Sequence, residues 1–346
     1  MLRPLMQGVI GSEAGLGFFL NIFVLRVIAK LSDKTLQHYK FCLMVSTVHS
    51  ILTSISNFIC VLTHIIDHDA VYSSLNGLVL LFPKWAADMS MVIWIFLTVF
   101  AWTSLPAAFM LQYMIIVRHS MPTWKILSYI YLICFFISTP IFFTVNDAFP
   151  LPSFAETTLE PTVRSMYALS TEDRVLVYGG TLFRRTENGN RTFALYIFLG
   201  VGVTFSVSYG IVLFCVRGIL KAIREQTSNI NSRSTKSLKM QKRFITMLML
   251  EATVPFFFLG VCVGVFTIAG LVGVELGLYA LVMSTFVAMV PAVQAILYIW
   301  HLRGRSGDRS RTTTVSAQRT TARSTVRNPD SVVTAQPPQK SAAVND

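Results

Sequence analysis

Six long windows of this chain carry no Asp, Glu, Lys or Arg. They run from Lys40 to Asp67, Asp88 to Arg118, Lys125 to Asp147, Arg191 to Arg217, Glu251 to Glu275 and Glu275 to Arg303. A helix needs about 20 apolar residues to cross a bilayer, so each window predicts one span. A seventh lies ahead of them at residues 8–29 and contains Glu13 and Arg26. Both are read as near its ends, where long polar side chains reach the headgroups. The sixth span starts near Phe244, because Arg243 closes a basic loop. The expected spans are residues 8–29, 41–66, 89–117, 126–146, 192–216, 244–270 and 276–300. The fold class is an all-α membrane protein, a seven-transmembrane helix bundle over residues 1–302. Residues 1–12 lack the pattern of a cleaved secretory signal, so the first span is expected to act as an uncleaved one.

Lys and Arg set the orientation. With the N-terminus outside, the cytoplasmic segments hold 21 of the 29 basic residues and the outer segments seven. Long segments cross regardless of charge. Leaving out the loop 146–191 and the tail still gives 13 inside against two outside. The net charge of +12 is therefore read as cytoplasmic loop charge, not as a nucleic-acid surface. The 13% charged residues, against about 25% in soluble domains, and the mean hydropathy of +0.58 agree with lipid as the solvent. Residues 303–346 are rich in Ser, Thr and Arg, and are expected to remain a disordered cytoplasmic tail. They suit either phosphorylation or contact with anionic lipid.

Cys42, Cys60, Cys134, Cys215 and Cys262 all fall in apolar windows, as buried small hydrophobes would. They form neither a metal-ligand spacing nor an extracellular disulfide framework, and no cofactor is implied. No zincin, P-loop or nucleophile-elbow pattern occurs, so an enzyme is not expected. The seventh span has no Lys, which excludes a retinal Schiff base. In the outer loop, Gly179-Gly180 between β-rich runs suggests either a hairpin tip over the extracellular mouth or an irregular loop. Asn190 begins a glycosylation sequon close to the fifth span.

Inside the spans the candidates are few. Glu251, one turn before Pro255, is an ionisable group in the membrane and hence a functional candidate. It is read either as a switch held by a basic group or as an acid near the inner interface, paired with Lys239 or Arg243. Pro106, Pro140, Pro255 and Pro291 predict kinks. Trp94 and Trp102 share a helical face. With Phe256, Phe257, Phe258, Cys262, Tyr279 and Met283 they form either the wall of an apolar ligand pocket or ordinary packing.

Laid out this way, the membrane region resembles the nematode serpentine chemoreceptors, the Str-like superfamily that includes the delta class. The likeness rests on Gly17-Phe-Phe-Leu-Asn21, Tyr39-Lys-Phe-Cys-Leu-Met44, and Met240-Gln-Lys-Arg-Phe-Ile-Thr-Met-Leu-Met-Leu-Glu-Ala-Thr-Val-Pro255. It continues in the close from Pro291 through Leu297-Tyr-Ile-Trp-His-Leu-Arg303. Glu251 stands where the family pattern has Gln, and Leu111-Gln112-Tyr113 stands where it has Tyr-Arg-Tyr. Gln294-Ala295 replaces an Asn-Pro pair. The resemblance implies a GPCR-like receptor for an environmental small molecule, in the plasma membrane of a sensory cilium, with a heterotrimeric G protein as partner. Under that reading, Gln112, Tyr113, Arg118, Lys239, Lys242, Arg243 and Tyr298 are candidates for G-protein coupling. Asn21, Glu251, Pro255 and Pro291 become structural or switch positions. A transporter or channel is the rival class. It would need charge at mid-membrane and paired broken helices in an internal repeat, and no such repeat is seen between the halves.

Overall fold

The computed structural model describes residues 2–30, 37–67, 70–120, 123–145, 149, 155–181, 196–228 and 235–323. Among them seven helices are long and apolar enough to cross a membrane: Leu2–Ala29, Lys40–Cys60, Lys84–Ile116, Lys125–Thr144, Gly200–Glu225, Phe244–Ala269 and Tyr279–His301. The chain is thus a multi-pass membrane protein. Its outward-facing side chains are as apolar as its inward ones: Phe19, Phe143 and Ile268 are all well exposed. Water would penalise that arrangement and hydrocarbon does not.

The first helix begins at Leu2, earlier than the charge pattern predicts. Glu13 therefore lies well inside it and not near its end, and Glu13 Oε2 is enclosed with no hydrogen-bond partner among the described residues. Proline shapes the other spans. The third span divides into Lys84–Thr103 and Leu105–Ile116 at Pro106, and the fourth into Trp124–Ser138 and Pro140–Thr144. The freed backbone is partly satisfied by nearby hydroxyls, as where Ser104 Oγ donates to the Phe100 carbonyl at 2.7 Å. In the sixth span Pro255 ends one helical segment, Phe256–Val261 form a π-helical turn, and Cys262–Val272 resume the α-helix. Such turns recur at functional positions. The seventh helix keeps Pro291 inside it and runs to Arg323, into the segment expected to form a tail. Residues 303–323 contain no proline to stop it. Residues 324–346 lie outside the described ones.

Gly17 and Asn21 join the first, second and seventh spans. A Cβ on Gly17 would sit 2.8 Å from Ser54 Oγ and 3.3 Å from Pro291 Cβ, so a larger residue would push the helices apart. The fully buried Asn21 donates through Nδ2 to the Gly17 carbonyl at 2.8 Å and the Pro291 carbonyl at 2.9 Å. Small residues and side-chain amides are how helices associate where no hydrophobic effect drives them together.

The outer end departs from the sequence expectation. The second helix stops at Cys60, not near residue 66, and Leu62–Asp67 form a strand, β1. Val61 takes a left-handed φ of 42° at the junction, and the amides of Asn76 and Gly77 cap the Cys60 carbonyl. A run without charge reads as helix in either case, which is why the boundary was placed too late. β1 pairs antiparallel with β2 (Ala70–Leu75), and β2 pairs antiparallel with β3 (Val177–Thr181). Gly179 and Gly180 thus lie within a strand and are not a hairpin tip. Gly179 has a φ of 123°, and a Cβ there would stand 2.4 Å from the Val71 carbonyl oxygen, so the crossing demands glycine. A short helix, Glu160–Tyr167, braces the sheet: Tyr167 Oη meets Thr63 Oγ1 at 2.7 Å. Met6, Ile10, Ile65, Tyr72, Val163 and Leu281 form one buried cluster there. Arg174 donates to the Leu80 and Phe82 carbonyls and takes Arg3 Nη2 on its own carbonyl. The loop is strapped across the outer end of the bundle.

Candidate functional site

Beneath this sheet lies a cavity of about 70 Å³. Its floor and walls come from the third span (Met91, Trp94, Thr98, Trp102), the sixth (Leu259, Cys262, Phe266) and Val201 of the fifth. Its roof comes from His64, Val71, Ser73, Tyr178 and Gly179 of the sheet. At about 10–15 Å³ per water-sized occupant, this space holds roughly five to seven non-hydrogen atoms. Among the lining residues none is Asp, Glu, Lys or Arg.

The polar handle is His64. Its Nδ1 lies 2.8 Å from Ser73 Oγ, and its ring stands 5.2 Å from Phe266 and 6.0 Å from Trp94 between centroids. One face opens onto the cavity while protein encloses the rest. That burial pushes the imidazole down to about 4, so it is neutral at physiological pH. The Ser73 contact leaves Nε2 for a ligand, as donor or acceptor according to tautomer. Tyr178 donates its hydroxyl to Asp88 Oδ1 at 2.8 Å, and burial together with that carboxylate pushes its phenol up. One imidazole and one thiol cannot hold a metal, and the lining has no cofactor-binding pattern.

Of the residues proposed from sequence for the ligand wall, the structure brings Trp94, Trp102 and Cys262 together around this cavity. Met283 stands behind it, where its carbonyl faces Cys262 Sγ at 4.0 Å. Phe256, Phe257 and Tyr279 are 41%, 58% and 75% exposed on the outer surface and are not brought to the site. The π-helical turn after Pro255 resets the helix phase, so residues read as facing inward turn out. Thr98, midway between the two tryptophans on the same face, was within reach of the sequence argument. The roof was not, because no local pattern says which loop strands will meet.

A column of polar side chains continues from this cavity toward the cytoplasm. Trp94 Nε1 donates to Asn57 Oδ1 at 2.8 Å. Asn57 shares a small cavity of about 20 Å³ with His49, Ser50, Thr53 and Gln294, enough for one or two waters. Ser50 Oγ donates to Gln294 Oε1 at 3.1 Å. Gln294 also lines a second space of about 20 Å³, which reaches Glu251. There Ser46 Oγ donates to Glu251 Oε1 at 2.7 Å, and Tyr298 Oη donates to the same oxygen. Glu251 is only 6% exposed. The basic partner expected for it is absent among the residues lining that space: hydroxyls from the second and seventh spans hold it instead. Arg243 lies eight residues, or about 12 Å of helix rise, nearer the cytoplasm.

The positions proposed for coupling are dispersed. Gln112 is buried, Tyr113 packs 5.7 Å from Phe214 and closely against Gly218, and Arg118 is exposed at the inner end of the third span. Tyr298 is buried against Glu251 and so is not a surface contact. Lys242 is exposed. The side chains of Lys239 and Arg243, and the whole of Asn190, lie outside the described residues.

A family model described as the serpentine type 7TM GPCR chemoreceptor Str matches residues 11–303. No curated protein matches the chain. Among solved structures, squid rhodopsin is similar at 13% identity with a TM-score of 0.48, over 86% of this chain and 81% of that one.

Proposed function

The chain belongs to the Str family of serpentine seven-transmembrane chemoreceptors, and from that premise we propose that it detects a small, uncharged, largely apolar molecule and signals through a heterotrimeric G protein. The observation that carries the ligand class is the cavity under the sheet, which has room for a compact molecule and no charged side chain in its lining. An ion placed there would lose its hydration with no counter-charge to replace it. A neutral molecule with one hydrogen-bonding group meets aromatic walls and the His64–Ser73 pair.

Transmission follows from which elements share the cavity. A ligand touching Trp94 and Trp102 on one side and Cys262 and Phe266 on the other favours one spacing of the third and sixth spans. The segment Pro255–Val261, with its interrupted α-helical bonding, is where the sixth span pivots. Below the pivot, Glu251 moves relative to Ser46 and Tyr298. That repositions the cytoplasmic end of the sixth span and the 217–243 loop, which carries eight basic residues and one acid. The family implies the plasma membrane, and a sensory cilium, as the place of action.

The test is nucleotide exchange on a Gα subunit by purified receptor, challenged with a panel of compact neutral and charged compounds. Active compounds are expected to be neutral. Thr98→Trp, which fills the cavity, is expected to abolish the response while the protein still reaches the surface. A full response from that variant, or activation only by ions, rejects the reading. Ligand-driven uptake or current without nucleotide exchange would assign a transporter or channel.

A further inference from the structure

Between the inner ends of the fifth and sixth spans lies an open crevice of about 590 Å³ that receptor signalling does not require. We infer that it is a binding site for an anionic phospholipid of the cytoplasmic leaflet, with the headgroup phosphate between Arg224 and Lys242.

Three observations lead there. First, only the fifth and sixth spans line the crevice. It therefore opens sideways to lipid and not into the interior of the bundle. Second, both walls change character in the same direction. On the fifth span exposed Arg224 lies one turn nearer the cytoplasm than Leu220, which is 37% exposed. On the sixth, exposed Lys242 lies seven residues, about 10 Å of rise, nearer the cytoplasm than Met249, which is 42% exposed. Two cations at interface depth above apolar side chains match a phosphate with acyl chains attached. Third, among the described residues neither cation has an ion-pair partner. Arg supplies a planar fork suited to phosphate oxygens and Lys a point charge. A segment of a cytoplasmic protein would find the same cations, but the apolar half of the crevice lies below them, at the depth of the acyl chains.

The consequence is regulatory. A lipid bridging Arg224 and Lys242 ties the two helices together at the end that must separate if the sixth span pivots, so leaflet composition tunes the receptor.

The experiment measures binding of fluorescent phosphatidylserine and phosphatidylcholine to the full chain in nanodiscs. Phosphatidylserine is expected to bind more tightly. With each basic residue contributing about 1 kcal/mol at the membrane surface, Arg224→Gln with Lys242→Gln is expected to weaken it about thirtyfold. Arg224→Lys with Lys242→Arg should retain most of the affinity and shows that the fold survives. Lys221→Gln, an exposed cation on the same helix outside the crevice, should leave it unchanged. Equal loss with phosphatidylcholine, or no loss in the double variant, overturns the inference. Full competition by soluble glycerophosphoserine also overturns it, because the acyl chains would then contribute nothing. If the double variant keeps phosphatidylserine but loses a Gα C-terminal peptide, the crevice belongs to the protein partner and the lipid assignment fails.

Discussion

Replacing Tyr298 by Phe removes one hydroxyl and leaves the ring, which makes it a clean probe of the polar cluster at Glu251. Tyr298 is 1% exposed, so the ring has no route to water after the change. Glu251 Oε1 then keeps only the Ser46 donor at 2.7 Å, and Ser46 loses its own contact with Tyr298 at 3.0 Å. A hydrogen bond to a charged group contributes about 1.5–3 kcal/mol and a neutral one about 0.5–1.5. The expected destabilisation is therefore about 2 kcal/mol, or a fall of roughly 4–8 °C in Tm for a chain of this size. Glu251→Gln alone should cost less, since its amide oxygen still accepts from both hydroxyls. Combining the two closes a double-mutant cycle whose coupling is expected at about 1 kcal/mol. Thermal denaturation of purified receptor gives stability, and basal nucleotide exchange at matched protein gives signalling. Because the cluster joins the second, sixth and seventh spans, basal exchange should rise with Tyr298→Phe, by several-fold if 1 kcal/mol or more of coupling is lost. A coupling near zero, or unchanged basal exchange, refutes the idea that these three groups hold one arrangement of the sixth span.

Further outcomes are expected. Tags at the two termini should be accessible from opposite sides of the membrane, the N-terminal one from outside, and protease protection of both in intact cells contradicts the topology. Because His64 protonates only near 4 when folded but at its ordinary 6.5 when unfolded, the unfolded chain binds the extra proton in between. Stability should thus fall as pH drops from 6.5 to 4 and level off below, by about 3 kcal/mol in all. Thermal inactivation across that range should lose this slope in His64→Gln. Gly179→Val, which forces a Cβ against the Val71 carbonyl, should disrupt the sheet and raise protease sensitivity of the outer loop, with the seven helices retained by circular dichroism.

The seven spans were legible because the bilayer imposes one rule along the whole chain, and charge-free windows report it directly. Orientation was legible for the same reason. What the windows could not report was where a charge-free run stops being helix: Leu62–Asp67 is as apolar as the helix before it, and only pairing with β2 and β3 makes it a strand. The candidate site divides along that line. Trp94, Trp102 and Cys262 sit on helices of regular phase and came out together, whereas Phe256 and Phe257 fall in a π-helical turn that the 3.6-residue period misplaces. His64 and Ser73 reach the cavity only through the fold of the loops. Glu251 was visible as an anomaly, but its partners are hydroxyls from distant spans, and Ser46 and Tyr298 look ordinary in sequence.

The sheet over the cavity has a consequence in time. A molecule beneath β1–β3 cannot leave toward the outer solution until Gly179 and its neighbours part from Val71 and Tyr72, or Arg174 releases the carbonyls of Leu80 and Phe82. Each such opening breaks several hydrogen bonds at once, so departure is slow compared with diffusion. The response should then outlast the stimulus after washout, and loosening the roof, as in Arg174→Ala, should shorten that persistence. A receptor built this way reports recent exposure as well as present concentration.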